Sequence, residues 1–360
     1  MYLSSLEFDN FRNLKKGKFI PDKYINVIYG DNAQGKTNLI EAIWMFTGKK
    51  SFRSSKDVNL VNVQNKDENA TLFAEFYSQG REQTASLSLG SKKQTEINSI
   101  KVKSASELAE KFCAVLFSPA DMDLIKDGPS VRRKFLDNAI SAIRPKYTQV
   151  LSNYAHAIEQ RNALLKDLAF HAELEVMCDV YEKRIATLAH YIINQRKLYI
   201  DALHEYIINI YNGFSGGKEK IEIVYECSCE DVTEKGLCKA LKEARAEDMR
   251  TLSTSVGPHR DDFEIFINDM SIKNFGSQGQ KRSAIVSLKL TEAEILKKYT
   301  GEQPIAILDD VMSELDLARQ DYILNHIEGW QVFITVCDPN NIKGLRSGKV
   351  TKIESGELVQ

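Results

Sequence analysis

The stretch that most constrains this chain is Tyr24-Ile25-Asn26-Val27-Ile28-Tyr29 running into Gly30-Asp31-Asn32-Ala33-Gln34-Gly35-Lys36-Thr37. A short apolar run closed by glycine reads as a buried strand. From Lys36 to about Gly48 the spacing turns helical, with Leu39, Ile40, Ile43, Trp44 and Phe46 on one side and Gly48 as the stop. Strand, loop and helix in that order are the setting that Gly-x-x-x-x-Gly-Lys-Thr requires to act as a P-loop, and they argue against a glycine turn with a chance lysine. Gly30 and Gly35 let the backbone curl with its N–H groups pointing inward, and the helix N-terminus adds partial positive charge. The expected ligand is ATP with Mg²⁺. Lys36 is placed for the β- and γ-phosphates and Thr37 for the metal, while Asp31, Asn32, Ala33, Gln34 and Asn38 complete the loop and its flank.

A partner motif lies far downstream. Ile305-Ala306-Ile307-Leu308-Asp309-Asp310 reads as a buried strand ending in two carboxylates. Two such aspartates are often merely solvated. Beside a P-loop, Asp309 is a candidate Mg²⁺ ligand, direct or through water, and Asp310 a candidate to orient or deprotonate the attacking water. About thirty residues earlier, Ser277-Gln278-Gly279-Gln280 opens a long helix pattern from Gln278 to Tyr299. That turn offers a hydroxyl and clustered N–H groups to an anion. Taken alone, it also reads as an ordinary helix cap.

Composition sets limits rather than a function. The 360 residues carry 43% hydrophobic and 27% charged side chains, enough for a packed core, and the length suits two domains or one with an insertion. The net charge of −2 gives no general attraction to nucleic acid, so such a partner needs a local basic surface. No apolar run is long enough to cross a bilayer, and Met1-Tyr2-Leu3-Ser4-Ser5-Leu6-Glu7 does not read as a signal peptide, so the cytoplasm is the expected location. Cys227-Ser228-Cys229 with Cys238 lacks the usual two-residue spacer and a nearby histidine, so packed thiols are expected rather than a metal site.

The rhythm changes along the chain. Strands are expected at 71–77 and 83–89, then two long helices near 146–170 and 173–211, too irregular in heptads for an extended coiled coil. A strand at 221–225 and a helix at 234–249 follow. The last hundred residues return to α/β alternation, with strands at 262–267, 304–308 and 331–336 and a helix at 317–327.

The P-loop, the Ser-Gln-Gly-Gln turn and the Asp-Asp strand followed by Ser313-Glu314-Leu315-Asp316 resemble the ATP-binding-cassette fold in its SMC-like branch. Asn10-Phe11-Arg12-Asn13, Ser51-Phe52-Arg53, Arg132-Arg133-Lys134-Phe135-Leu136-Asp137 and Gly257-Pro258-His259-Arg260-Asp261-Asp262 narrow the resemblance to the RecF family of bacterial DNA replication and repair proteins, over essentially the whole chain. The resemblance implies an α/β cassette head, 1–118 plus 255–360, with a mainly helical lobe, 119–254, inserted and the signature turn 275–282 near the junction. It implies a recombination mediator that dimerises on double-stranded DNA with ATP and acts with RecR and RecO to place RecA at single-strand gaps. It also implies that Ser277, Gln278, Gly279 and Gln280 meet the γ-phosphate held by a second subunit, that Asp316 lies at the dimer seam, and that Arg12 lies near the nucleotide.

Departures from the wider cassette pattern matter. Asp310 stands where most cassettes have the longer glutamate, and Thr335-Val336-Cys337-Asp338 has no switch histidine. Slow hydrolysis is expected, with binding and release timing a clamp. For His259-Arg260-Asp261-Asp262 a structural ion-pair role is favoured over catalysis. Lys101, Lys103, Arg132, Arg133, Lys134, Arg144 and Lys146 are candidate DNA-phosphate contacts, with a solvated face as the alternative. The rival readings are a small-molecule P-loop kinase, a structural SMC-like DNA-bridging ATPase, and a binding module without turnover.

Overall fold

The computed structural model describes the chain except residues 55, 91, 92, 104, 105, 169, 339–347 and 360, and gives the backbone alone at 106, 172 and 314. The chain divides into two compact units. Unit 1 comprises Met1–Asp121 and Lys289–Gln360, and unit 2 comprises Met122–Leu288.

Unit 1 begins with β1 (Tyr2–Asp9), β2 (Gly17–Phe19), β3 (Ile25–Tyr29) and α1 (Lys36–Met45). Then come β4 (Ala70–Ser78), β5 (Arg81–Leu89), β6 (Gln94–Ile97), β7 (Ile100–Lys101), the one-turn α2 (Ser106–Ala109) and β8 (Ala114–Phe117). Strict alternation of buried and exposed residues in β4 marks a sheet with one face on the core. The antiparallel order is β2-β1-β4-β5-β6-β7.

Unit 2 opens with the one-turn α3 (Asp123–Lys126), then α4 (Pro129–Ile143), α5 (Pro145–Asp167) and the 41-residue α6 (Glu175–Ser215). Proline sits at the first position of both α4 and α5, where a missing N–H costs nothing. Gly216, left-handed at φ 62°, closes α6. The unit continues with β9 (Ile221–Glu226), α7 (Glu234–Glu243), α8 (Arg245–Thr251), β10 (Asp262–Ile267), β11 (Met270–Ser271) and the one-turn α9 (Ile272–Phe275). The single helix expected over 234–249 is therefore two. Strands β11-β10-β9 form a small antiparallel sheet, with α6 packed on β9 and α4 on β10. That pairing draws residues 255–288, expected in the head, into unit 2, because β10 finds its hydrogen-bonding partner in β9.

The chain returns through α10 (Gln278–Thr300), β12 (Ile305–Asp309), α11 (Leu317–His326), β13 (Val332–Val336), β14 (Lys349–Glu354) and β15 (Glu357–Val359). The second sheet of unit 1 runs β15-β14-β3-β13-β12-β8, parallel except for β15. Strands β12 and β13 are buried at every position, as a parallel strand covered on both faces must be. One core joins Leu6, Phe8 and Phe76 of the first sheet, Leu39, Ile43 and Phe46 along α1 and its end, and Ile307 and Phe333 of the second. Buried Gln331 ties the sheets by polar bonds, accepting from Leu3 N at 2.6 Å and donating to Leu3 O at 2.8 Å.

Unit 2 has an ionic centre. Arg161 of α5 is fully buried and bonds Glu182 (3.0 Å), Asp248 (2.7 Å), Thr254 (2.9 Å) and the carbonyl of Leu241 (3.0 Å). This satisfies the guanidinium fork and joins α5, α6, α7 and α8. Asp248→Ala leaves Arg161 buried with one carboxylate fewer. The expected cost is about 3–5 kcal/mol, read as a lower denaturant midpoint with native-like helical circular dichroism before the transition. An unchanged midpoint would contradict the account.

Candidate nucleotide-binding site

The site grows from the register of three parallel strands. Thr335 of β13 lies opposite Asp309 of β12 and Ile28 of β3. The three strands therefore end together, where Gly30, Asp310 and Cys337 begin their loops. The P-loop turns on positive φ at Gly30 (152°), Ala33 (64°) and Gly35 (121°), the curl that points successive N–H groups into one concavity. A Cβ on Gly30 would lie 2.3 Å from the carbonyl oxygen of Ile353, so only glycine fits.

Lys36 is buried, and its Nζ donates to the carbonyls of Gly30 (2.6 Å) and Asp31 (2.9 Å) within the loop. The Cys337 sulfur lies 3.7 Å from the same Nζ, and Cys337 Sγ donates to Asn32 Oδ1 at 3.3 Å. Among the described residues the ammonium has no carboxylate partner, which suits a cation meant for an anionic ligand. Thr37 Oγ1 donates to Asp309 Oδ1 at 3.1 Å, and Thr335 Oγ1 donates to the same oxygen at 2.8 Å. Burial raises the Asp309 pKa, opposed by the Thr335 and Thr37 hydroxyls and helped by the charge of Asp310. The Asp309 carboxylate and the Thr37 hydroxyl make a hard, all-oxygen donor set, suited to Mg²⁺ rather than a softer metal.

Asp310 has a left-handed backbone (φ 53°), and its N–H donates to Thr335 Oγ1 at 2.9 Å. Ser313 Oγ shares its proton between the Asp310 carbonyl oxygen at 2.9 Å and Asp310 Oδ1 at 3.0 Å, which orients the carboxylate and leaves Oδ2 for another partner. Asp316 caps α11, accepting from Arg319 N at 3.0 Å, and that bond lowers its pKa.

The loop is braced by residues whose roles pattern alone does not reveal. Asn38 Nδ2 donates to Asn13 Oδ1 (2.6 Å), Asn13 Nδ2 to Ala33 O (3.1 Å), and Arg53 Nη1 to Asn38 Oδ1 (2.6 Å). Gln34 accepts twice from the β14–β15 turn: its Oε1 from Ser355 N (2.5 Å) and its carbonyl from Gly356 N (2.9 Å). Arg12 is bidentate on the fully buried Glu41 of α1, at 2.9 Å for each bond, and also donates to Asn59 O. Its guanidinium is thus committed to bracing α1 in this structure.

The Ser277 turn belongs to unit 2. Gln280 N donates to Ser277 Oγ (3.2 Å) and Ser277 N to Gln280 Oε1 (2.8 Å), a reciprocal capping box at the start of α10. Gln280 Nε2 also reaches Glu219 (2.7 Å). Ser277 and Gln278 are exposed, while Gly279 and Gln280 are half-buried. The helix-cap reading therefore holds, and the cap leaves the Ser277 O–H proton unused by that bond.

The remaining motifs lock onto each other within unit 2. Arg132 is buried and bidentate on Asp262, at 2.7 Å for each bond, so it is not a surface phosphate contact. Half-buried Arg133 donates to the Asp261 carbonyl at 2.8 Å and lines a cavity, which also removes it from the open surface. Lys101 and Lys103 in unit 1 and Lys134 and Lys146 in unit 2 are exposed, and Arg144 is half-buried. The cysteines are free, with Cys113 and Cys178 buried, and among the described residues no group of three or more His, Cys, Asp and Glu is placed to hold a metal. Among the described residues, no helix is long and apolar enough to cross a membrane.

The model of the RecF/RecN/SMC N terminal domain family matches residues 2–355. The chain is 39% identical over 354 residues to the DNA replication and repair protein RecF of Caldanaerobacter subterraneus subsp. tengcongensis, covering 96% of each. It is 36% identical over 364 residues to that of Clostridium beijerinckii, covering 100% of this chain and 98% of the relative. The solved structure of the recombination mediator protein RecF-ATPrS in the RecFOR pathway matches with TM-score 0.91 and 38% identity over 99% of this chain and 97% of that one. An Smc head domain derived from Pyrococcus yayanosii, 14% identical with TM-score 0.57 and 97% of it covered, shares the fold.

Fold and motifs together define an ABC-type ATPase head of the SMC kind. Within that class, the chain belongs to the RecF family of DNA replication and repair proteins.

Because Cys337 lies against Lys36 and Asn32, a ligand seated in the P-loop covers its thiol. Saturating Mg²⁺-ATP is expected to slow iodoacetamide alkylation of Cys337, followed by peptide mass spectrometry, while Cys229 reacts at an unchanged rate. Equal slowing at both positions, or at neither, would contradict the placement.

Proposed function

We propose that this chain is an ATP- and Mg²⁺-dependent DNA-binding ATPase that dimerises on double-stranded DNA and, with RecR and RecO, helps load RecA at single-strand gaps. The observation that carries the proposal is the Thr37–Asp309–Thr335 cluster beside the P-loop lysine. The similarity to the recombination mediator RecF-ATPrS supports the partners and the nucleotide.

In this reading the P-loop N–H groups from Asp31 to Thr37 hold the phosphates, and Lys36 exchanges its bonds to Gly30 and Asp31 for phosphate oxygens. Asn38 and Arg53 keep the loop in shape. Thr37 and Asp309 hold Mg²⁺, which when bound neutralises charge on the phosphate oxygens. Asp310, steadied by Ser313 at Oδ1, orients the attacking water and takes its proton at Oδ2. Its side chain is one methylene shorter than glutamate, and Thr335-Val336-Cys337-Asp338 carries no histidine. Both favour slow turnover, so that nucleotide binding closes the clamp and hydrolysis opens it.

Ser277 supplies its hydroxyl, and α10 its first-turn N–H groups, to the γ-phosphate on a second copy, with Gln278, Gly279 and Gln280 shaping the turn and Asp316 at the seam. Arg12 supports the nucleotide indirectly, through Glu41 of α1. Lys101, Lys103, Lys134, Arg144 and Lys146 remain the proposed DNA-phosphate contacts; such contacts position a protein on the duplex without reading sequence.

Sedimentation with and without ATP and duplex DNA tests this reading. ATP is expected to shift wild type toward dimer. Ser277→Arg should stay monomeric while binding ATP as wild type does; normal dimerisation of that variant would sink the cassette model. Asp310→Asn is expected to lower turnover about 10²–10⁴-fold and to lengthen dimer lifetime. An unchanged lifetime would favour a binding module without a hydrolytic clock.

A further inference from the structure

Unit 2 carries a cavity of about 500 Å³ among α4, α5, α6 and the Gly257–Asp262 turn, remote in chemistry from phosphate transfer. One wall is apolar, from Leu151 and Ile158 of α5 and Ile192 of α6. The opposite side holds Arg133, Lys134, Arg196 and His259.

These groups are not equivalent. Arg196 is buried and neutralised by Asp137, at 2.9 and 3.0 Å from Nη2 and 3.0 Å from Nε, and its Nη1 donates to the Pro258 carbonyl. Asp137 also accepts from Tyr147 at 2.6 Å, so its capacity is taken up within the wall. His259 is held between Tyr154 (2.6 Å) and the Thr254 carbonyl (2.9 Å), and burial lowers its pKa below that of a free imidazole. Arg133 differs: its hydrogen bond goes to the neutral carbonyl of Asp261. Burial lowers its pKa, with the neighbouring Arg196 charge acting the same way and the carboxylates of Asp262, Asp137 and Asp261 opposing. A half-buried guanidinium that faces an apolar hollow and bonds a neutral carbonyl is stabilised by an incoming anion. Glu159 on the same lining is exposed at the rim, where water screens it.

We propose that this cavity is a docking pocket for a protein segment that presents a carboxylate next to a large apolar side chain. The carboxylate pairs with Arg133, and the apolar side chain fills the space along Leu151, Ile158 and Ile192. The volume lies within the range of sites that bury a small ligand or side chain. A nucleic-acid phosphate would satisfy Arg133 but gain nothing from the apolar wall, so the lining favours protein. The proposal does not depend on nucleotide gating or on dimerisation.

The test uses the full chain, a fluorescein-labelled peptide of alternating Asp and Leu, its Lys-Leu counterpart, and a labelled duplex oligonucleotide, with binding read by anisotropy. Two variants probe the two halves of the pocket. Arg133→Glu reverses the charge. Ala155→Trp places a bulky ring on the lining from an exposed position on α5, and is expected to leave folding, read by circular dichroism, and ATP binding unchanged. The acidic peptide is expected to bind wild type at one per chain and to weaken about tenfold or more in each variant, as loss of a desolvated charge-assisted bond or of the apolar space requires. The Lys-Leu peptide is expected not to bind. No binding of the acidic peptide, binding indifferent to both variants, or equal binding of the basic peptide would overturn the proposal. Duplex DNA that displaces the peptide and loses affinity in Ala155→Trp would reassign the pocket to nucleic acid.

Discussion

The nucleotide site depends on one register. Pairing Ile28 with Thr335 and Thr335 with Asp309 ends three parallel strands at a common edge. A one-residue slip of β13 would turn Thr335 to the other face of the sheet and take its hydroxyl away from Asp309. The same alignment brings Cys337 next to Lys36 and Asn32. Burial on both faces enforces the register, since every residue of β12 and β13 is enclosed.

Around this edge, most of the support is polar and non-local. The β14–β15 hairpin holds Gln34 and leaves no room for a side chain at Gly30. Glu41, fully buried in α1, is admissible only because Arg12 and Ser51 bond it. Unit 2 repeats that logic. Arg161, Arg132 and Arg196 are buried, and each is matched to carboxylates and carbonyls from elements far apart in sequence. Such networks stabilise little relative to well-packed apolar residues, but breaking one member is costly, so they favour a single arrangement of α4, α5, α6 and β10. Arg133 departs from the pattern by facing a hollow with a carbonyl as its bond partner.

Legibility in the sequence followed locality. The P-loop, the Asp309–Asp310 strand end, the two long helices and the capping turn at Ser277 were readable, because each is encoded within a few residues by period, glycine placement or a capping pair. The split of 234–249 into two helices was missed because Lys242, Glu243 and Ala244 are good helix formers and the break comes from packing. Strands β8 and β14 were not anticipated either, since each is short and earns its place by pairing with distant strands. Arg132 looked like a surface cation beside Arg133 and Lys134, yet its depth is set by Asp262, 130 residues away.

By itself, the sequence determined that a phosphate-binding loop sits between a buried strand and a helix, that two carboxylates follow another buried strand, and that a helical segment separates them. These are consequences of local backbone preference and hydrophobic period. Only the tertiary structure decided which oxygen Thr37 meets, what braces Asn38 and Gln34, which arginines are buried in ion pairs and which one is left bonding a neutral carbonyl beside a cavity. Those outcomes depend on strand register and on the pairing of buried charge across long sequence separations, neither of which has a local signature.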